Sequence, residues 1–264
     1  MIERPSRTPH LTPRTLVLTL GYTGTRFAGF AVQHPRTTHG RPTVQATLES
    51  ALRDIVGHPV RVTAAGRTDA GVHADGQVVS FDTPSSIPAA GLARALNALL
   101  PEDVWCVEAR TAHPGFSARR SARRRWYRYA IWNARSVPPA AWHGRCLVEP
   151  KHLDLAAMRS TSRCLVGRLD AASFGTQHPR GKSTRRTVLA ADWLHTPGQP
   201  LILFEVCADA FVRGMVRSLV GSLLWVGRGR WTADDFLGAL GAADRRAGGP
   251  SAPAHGLTLH RVDY

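Results

Sequence analysis

The sequence predicts an α+β fold with a largely antiparallel sheet, in two halves of related pattern. Three observations predict it. Strand-like and helix-like segments do not alternate strictly, as a parallel βαβ sheet would require. The first half reads β-α-β-β-α-β, the pattern of a split βαβ unit. The second half repeats that theme in pattern though not in sequence. The expected divisions are a flexible tail over 1–14, one α+β half over 15–115 and a second over 116–264.

The elements follow in order. Thr15 to Gly21 reads as a strand with apolar residues on both faces. Val44 to Val56 reads as a helix, because Val44, Leu48, Leu52, Ile55 and Val56 recur at helical spacing. Thr43 can cap its start and Gly57 can end it. Pro59 to Ala65 and Gln77 to Phe81 read as strands flanking a Gly-rich loop. Pro88 to Leu100 reads as a helix preceded by Ser85 or Ser86 as cap, and Val104 to Ala109 as a strand. In the second half, Trp126 to Trp132, Thr187 to Leu194, Leu201 to Val206 and Leu257 to Val262 read as strands. Leu153 to Leu165 reads as a helix, and so does Ala208 to Val226, with Phe211, Met215, Leu219 and Leu223 in one stripe. Thr232 caps a short helix through Leu240. Pro138-Pro139, Gly175 to Gly181 and Gly248-Gly249-Pro250 read as loops.

Composition narrows the function. The 264 residues are 43% hydrophobic, enough for one sizeable core or two small ones. No apolar run approaches the roughly 20 residues of a membrane helix. The polar, Pro- and Arg-rich start lacks the apolar stretch of a secretory signal. Cys106, Cys146, Cys164 and Cys207 form no C-x-x-C pair. That pattern disfavours a zinc site or redox dithiol and fits a reduced, cytoplasmic setting. Lys plus Arg is 34 against 19 Asp plus Glu, a net charge of +15. A surplus of this size points to a polyanionic partner such as nucleic acid.

Three clusters could carry chemistry. The first is Ala65-Gly66-Arg67-Thr68-Asp69-Ala70-Gly71-Val72-His73-Ala74. Its glycines let backbone approach a ligand, with one arginine and one aspartate between them. It reads equally as a tight turn with a surface ion pair. His73 could join Asp69 or Asp75 on a metal, although no third ligand of suitable spacing is evident. The second cluster runs from Phe116 to Tyr129 and holds six arginines, no acid and three large rings near its end. Arginines neutralise phosphates and aromatic faces stack on unstacked bases. The bland reading is a solvated basic connector leading into an edge strand. The third cluster spans Phe211 to Gly221, with Arg213 and Arg217 four apart in an apolar helix. A buried Arg217 requires a carboxylate partner, whereas a snorkelling one does not. Arg180, Lys182, Arg185 and Arg186 form a further basic loop.

These clusters, in this order, resemble the bacterial tRNA pseudouridine synthase A family. The run AGRTDAGVHA around Asp69 carries most of the resemblance. Arg119-x-Ser121-Ala122, Arg125-x-Tyr127-x-Tyr129, Met215-Val216-Arg217 with Gly221, and the end from Ala247 to Tyr264 are similar too. The likeness runs from about residue 15 to the C-terminus. Three places depart: Tyr22-Thr23-Gly24 and Gly29-Phe30 stand where the family usually has Tyr-Asp-Gly and Gly-Trp, and Leu169-Asp170-Ala171 where it has His-Asp-Phe.

The resemblance implies two α+β halves around one extended antiparallel sheet with a central cleft. It implies conversion of uridine to pseudouridine on the 3′ side of the tRNA anticodon stem-loop, at tRNA positions 38–40. It implies a homodimer, with tRNA as partner, no metal and no organic cofactor. Asp69 would act on the sugar, either attacking C1′ or removing a sugar proton. Arg217 would pair with it. Tyr127 would stack on the extruded base or help remove the C5 proton, and Arg67 would fill the space that the base vacates. Phosphates would meet Arg119, Arg123, Arg124, Arg125, Arg128, Arg180, Lys182, Arg185, Arg186 and Arg213. The rival readings are a non-catalytic RNA-binding module, a metal-dependent phosphodiesterase using Asp69, His73 and Asp75, and a synthase acting on another RNA or position.

Overall fold

The computed structural model describes residues 13–176, 181 and 183–264. Within them the strands are β1 (Arg14–Tyr22), β2 (Thr63–Ala64), β3 (His73–Thr83), β4 (Val104–Ala112), β5 (Arg124–Trp132), β6 (Leu147–Val148), β7 (Gly167–Asp170), β8 (Arg185–His195), β9 (Leu201–Ala208) and β10 (Leu257–Asp263). The helices are α1 (Pro35–Thr38), α2 (Val44–Val56), α3 (Ala89–Leu99), α4 (Leu155–Ser162), α5 (Met215–Gly227) and α6 (Ala233–Ala242).

The strands join in one sheet of order β4-β1-β3-β10-β5-β9-β8-β7, with β2 beside β3 and β6 beside β5. Pairing is antiparallel except between β10 and β3 and between β5 and β6. The α+β class with a mainly antiparallel sheet is therefore as expected. The last strand joins the two groups of strands. Thr258 of β10 pairs with His73 of β3, while Leu259 pairs with Tyr127 of β5. This places the strand that leaves the Asp69 loop one strand away from Tyr127.

One hydrophobic core runs along the sheet. Leu16, Leu18 and Leu20 of β1 and Val79 and Phe81 of β3 are buried with Leu48 and Leu52 of α2 and Leu92 and Leu96 of α3. The same core continues through Ile131, Phe204 and Val206 to Leu219 and Leu223 of α5, Met158 of α4 and Phe236 of α6. Each such side chain contributes roughly 1.5–3 kcal/mol on burial. A small second cluster, Val17, Ala65, Val78 and Ala118, is covered by Phe116 and Tyr264.

Several sequence expectations hold to the residue and others do not. Helix α2 starts and ends as expected, with the Thr43 side chain accepting from the Ala46 amide. Thr232 forms a capping box with Asp235 at α6. The first strand begins at Arg14, one residue inside the expected tail, and Arg14 Nε donates to the Ser85 carbonyl at 2.9 Å. The strand expected over Pro59 to Ala65 shrinks to Thr63–Ala64. A helix side chain takes the place of a neighbouring strand there: the Val62 amide donates to Glu49 Oε1 at 3.0 Å. The following strand begins at His73, four residues early, because β10 extends the pairing to that point. Neither Ser85 nor Ser86 caps α3, whose first residue follows Pro88; Ser85 Oγ accepts from the Ile87 amide instead. Asp154 caps α4, so that helix starts at Leu155. The largest correction is α5, expected from Ala208 but starting at Met215. Ala208 is still paired in β9 with Arg125. Gly214, at φ 76, then turns the chain into the helix. Arg213 therefore lies before α5 and not on a helical face shared with Arg217.

Candidate active site

Asp69 lies on the loop between β2 and β3, and that loop is anchored by its backbone. Arg125 Nε and Nη2 donate to the Ala65 carbonyl at 3.3 and 3.1 Å. Gln77 Nε2 donates to the Gly66 carbonyl at 2.7 Å. The hydroxyls of Tyr22 and Thr68 share a hydrogen bond of 2.8 Å. The Phe30 amide donates to the Thr68 carbonyl at 3.0 Å, and the Val72 amide to the Asp69 carbonyl at 3.2 Å. The carboxylate itself is left 27% exposed. Tyr22 is fully buried, and burial pushes its phenol up to about 12 against the opposing hydrogen bonds of Thr68 and Gln77. It serves the loop as a neutral hydrogen-bonding group.

Two arginines reach this carboxylate from more than a hundred residues away. Arg213 Nε lies 3.3 Å from Asp69 Oδ1, and Arg217 Nη1 lies 4.0 Å from Oδ2. They are not equivalent. Arg213 is 75% exposed, so solvent screens its pair with Asp69. Arg217 is 25% exposed and fixed on its other side. Its Nε donates to the Ala252 carbonyl at 2.7 Å, and the Ala252 amide donates back to the Arg217 carbonyl at 2.9 Å. That exchange depends on Gly221 one turn along α5. A Cβ there would stand 1.8 Å from the Pro250 carbonyl oxygen.

Tyr127 points to the same face of β5 as Arg125, because side chains alternate along a strand. Its ring is buried edge-on against Phe211, with centroids 5.0 Å apart. A Cβ on Gly66 would be 3.7 Å from its hydroxyl, so the phenol lies against the backbone of the Asp69 loop. Burial raises its pKa, and the negative charge of Asp69 acts in the same direction. The site thus joins an anchored carboxylate, a fixed guanidinium, an exposed guanidinium and a neutral phenol. A carboxylate so placed can act as nucleophile or base beside an aromatic surface.

The family model described as tRNA pseudouridine synthase matches residues 20–118 and 162–264. The chain belongs to the tRNA pseudouridine synthase family. The tRNA pseudouridine synthase A of Moorella thermoacetica is 41% identical over 254 residues, covering 94% of this chain and 99% of that protein. That of Roseiflexus sp. is 44% identical over 253 residues, covering 95% and 91%. That of Bradyrhizobium sp. is 42% identical over 248 residues, covering 94% and 98%.

The arginines expected on the phosphates of a tRNA pseudouridine synthase substrate do not form one group. Arg67, Arg119, Arg123, Arg124 and Arg185 are exposed, and their guanidinium groups make no hydrogen bond or ion pair among the described residues. Arg124 and Arg128 alternate with Tyr127 along β5 and so face the other side of the sheet. Arg128 is committed there to Glu205 on the neighbouring strand. Arg125 is half-buried and bonded to backbone carbonyls throughout. Arg186 Nη1 donates to the Ser183 carbonyl at 2.8 Å. Arg180 and Lys182 lie outside the described residues. The basic run from Arg119 to Arg128 is thus divided by strand alternation and by partners far along the chain.

His73 is not placed as a metal ligand. It is fully buried, its Nδ1 accepts from the Gly24 amide at 3.1 Å, and its Nε2 lies 3.1 Å from the His255 carbonyl. Both ring nitrogens are committed, and Asp75 bonds Arg145 Nη2 at 2.8 Å instead. Phe30, a departure from the family's usual pattern, is 1% exposed and packs beside Tyr22 behind the loop. Thr23 donates its amide to the Asp103 carbonyl at 2.9 Å. Asp170 Oδ1 accepts from the Ala172 amide at 3.0 Å, within its own turn. Sequence reasoning missed Tyr22, Thr68 and Gln77 as loop anchors. One signal was available: Gln77 is a polar residue directly before the apolar pair Val78-Val79 of its strand.

Proposed function

We propose that this tRNA pseudouridine synthase isomerises uridines on the 3′ side of the tRNA anticodon stem-loop, with Asp69 as the catalytic carboxylate. The observation that carries the assignment is the convergence of Arg217 and Arg213 on Asp69 beside Tyr127. Binding alone needs cations along a phosphate path, not a carboxylate among them. The reaction breaks the N1–C1′ bond, turns the base, joins C5 to C1′ and releases the C5 proton. The target uridine leaves the helical stack to be reached. Its ring stacks on Tyr127. Arg67, exposed and unpaired two residues from Asp69, takes the vacated space. Arg213, Arg119, Arg123 and Arg185 meet phosphates. The enzyme works in the cytoplasm as a homodimer.

The test is tritium release from tRNA transcripts carrying 5-tritiated uridine. C5 loses its hydrogen only when it becomes the glycosidic carbon. Wild type should release tritium. Asp69→Asn should bind tRNA with similar affinity and release none. Residual turnover in that variant would remove Asp69 from its role. Salt-sensitive binding without release from any tRNA would favour another RNA substrate or a non-catalytic binder.

A further inference from the structure

Arg125 has all five guanidinium N–H groups committed to backbone carbonyls. Nε and Nη2 donate to Ala65 at 3.3 and 3.1 Å, Nη1 to Ala122 at 3.2 Å and to Asp209 at 2.6 Å, and Nη2 to Arg119 at 3.0 Å. The four acceptors lie on three separate segments. Ala65 opens the loop that carries Asp69. Arg119 and Ala122 belong to the connector that leads into β5 and Tyr127. Asp209 follows β9 and opens the segment that carries Phe211, Arg213 and, at the start of α5, Arg217. None of the acceptors is a carboxylate. The arrangement withdraws a cation from water, and burial lowers its pKa accordingly.

We propose that Arg125 is a positioning residue: it pins the start of the Asp69 loop to the two segments that bring Tyr127 and Arg217 to the carboxylate. This rests on the assignment of the chemistry to Asp69. A planar fork suits the task, since one rigid group addresses three chain segments at fixed angles. A lysine ammonium has three donors on a flexible stem and cannot reproduce the fork. The residue carries no phosphate, because it has no donor left to offer one.

Three results separate this role from its competitors. Arg125→Lys keeps the charge, so tRNA affinity and the slope of affinity against salt should stay as in wild type. Its single-turnover tritium release should fall by ~10–100-fold, the loss expected when reacting groups shift by about 1 Å. In Arg125→Gly, added guanidinium ion should restore release without changing the salt slope. Wild-type turnover in Arg125→Lys would overturn the proposal. A salt slope reduced by about one in Arg125→Gly, with turnover per bound tRNA unchanged, would make Arg125 a phosphate contact and overturn it as well. A lysine variant without a cooperative melting transition would reduce Arg125 to a folding determinant, which also overturns the positioning role. Wild type and Asp69→Asn run in the same assay. Release by Asp69→Asn would sink the Asp69 assignment itself, independently of any Arg125 result.

Discussion

Arg213 and Arg217 both approach the Asp69 carboxylate, at 3.3 and 4.0 Å, yet among the described residues only the Arg217 guanidinium is held by a second partner, the Ala252 carbonyl. The nearer arginine is the more dispensable one. Arg213 is 75% exposed, and exposed pairs contribute no more than about 1 kcal/mol. Its remaining donors make no hydrogen bond among the described residues and can meet a phosphate. Arg213→Ala should reduce the salt slope of tRNA binding by about one and leave turnover per bound tRNA within about tenfold. Arg217→Ala removes a fixed cation from the reacting charge and should cost ~100–1000-fold in turnover, the scale of a lost electrostatic stabiliser. Filter binding across a salt series and single-turnover release read both. The reverse ranking would show that Arg213 holds the carboxylate during the reaction.

The hydroxyl of Tyr127 makes no hydrogen bond among the described residues, although the ring is buried against Phe211. A hydroxyl that has no protein partner and is not sealed from solvent is available to substrate. Burial raises its pKa, so it stays a neutral phenol throughout the neutral range. Tyr127→Phe keeps the ring and loses no internal hydrogen bond, so its thermal midpoint should stay within a few degrees of wild type. Turnover should fall by ~10-fold or more while tRNA affinity holds, because stacking is retained. A phenylalanine variant with full turnover would confine the residue to stacking.

The Asp69 loop was legible because ten consecutive residues carry the family resemblance, whereas Arg217 in its apolar helix read equally as paired with a carboxylate or snorkelling until that resemblance implied Asp69 as its partner. The sequence did not show what Arg125 does. Two of its four acceptors lie 60 and 84 positions away, at Ala65 and Asp209, and no local spacing records such a bond. The start of α5 was hidden for a different reason. Phe211 fits the four-residue stripe of Met215, Leu219 and Leu223, so hydrophobic period alone extends the helix backwards. Only the strand pairing of Ala208 and the left-handed Gly214 stop it. His73 was hidden because its strand pairs with residue 258 near the other end of the chain.

Burial of His73 makes stability depend on pH. Burial, and then the charge of Arg145, lower its pKa from 6.5 to about 4 in the folded protein. Nδ1 accepts from the Gly24 amide, so Nε2 carries the proton and donates to the His255 carbonyl. A second proton would set a donor against the Gly24 N–H. Between those two values the unfolded chain binds a proton that the folded chain does not. Stability is therefore full above about 6.5 and falls as pH drops towards 4. Linkage puts the loss by pH 5 at about 2 kcal/mol. His73→Asn keeps an acceptor for Gly24 and removes the titration. Its denaturation midpoint should change less with pH over that window than that of wild type. Identical pH profiles would show that another group governs the acid loss.

Gly221 tests whether the packing behind Arg217 matters for chemistry beyond its effect on stability. An alanine Cβ at 221 would meet the Pro250 carbonyl oxygen at 1.8 Å and the Ala252 amide nitrogen at 3.1 Å. The 250–252 segment must move, and overpacking of this kind costs roughly 1–3 kcal/mol. That segment also holds Arg217 through the Ala252 carbonyl, so the guanidinium moves with it. Gly221→Ala should lower turnover by ~10–100-fold at a temperature where it remains folded. Gly238→Ala in α6 is the control, since an added Cβ there meets nothing within 4 Å. It should raise stability by up to about 1 kcal/mol, the helix preference of alanine over glycine, with turnover unchanged. Loss of stability in Gly221→Ala without loss of turnover would mean that Arg217 holds its place without the Ala252 contact.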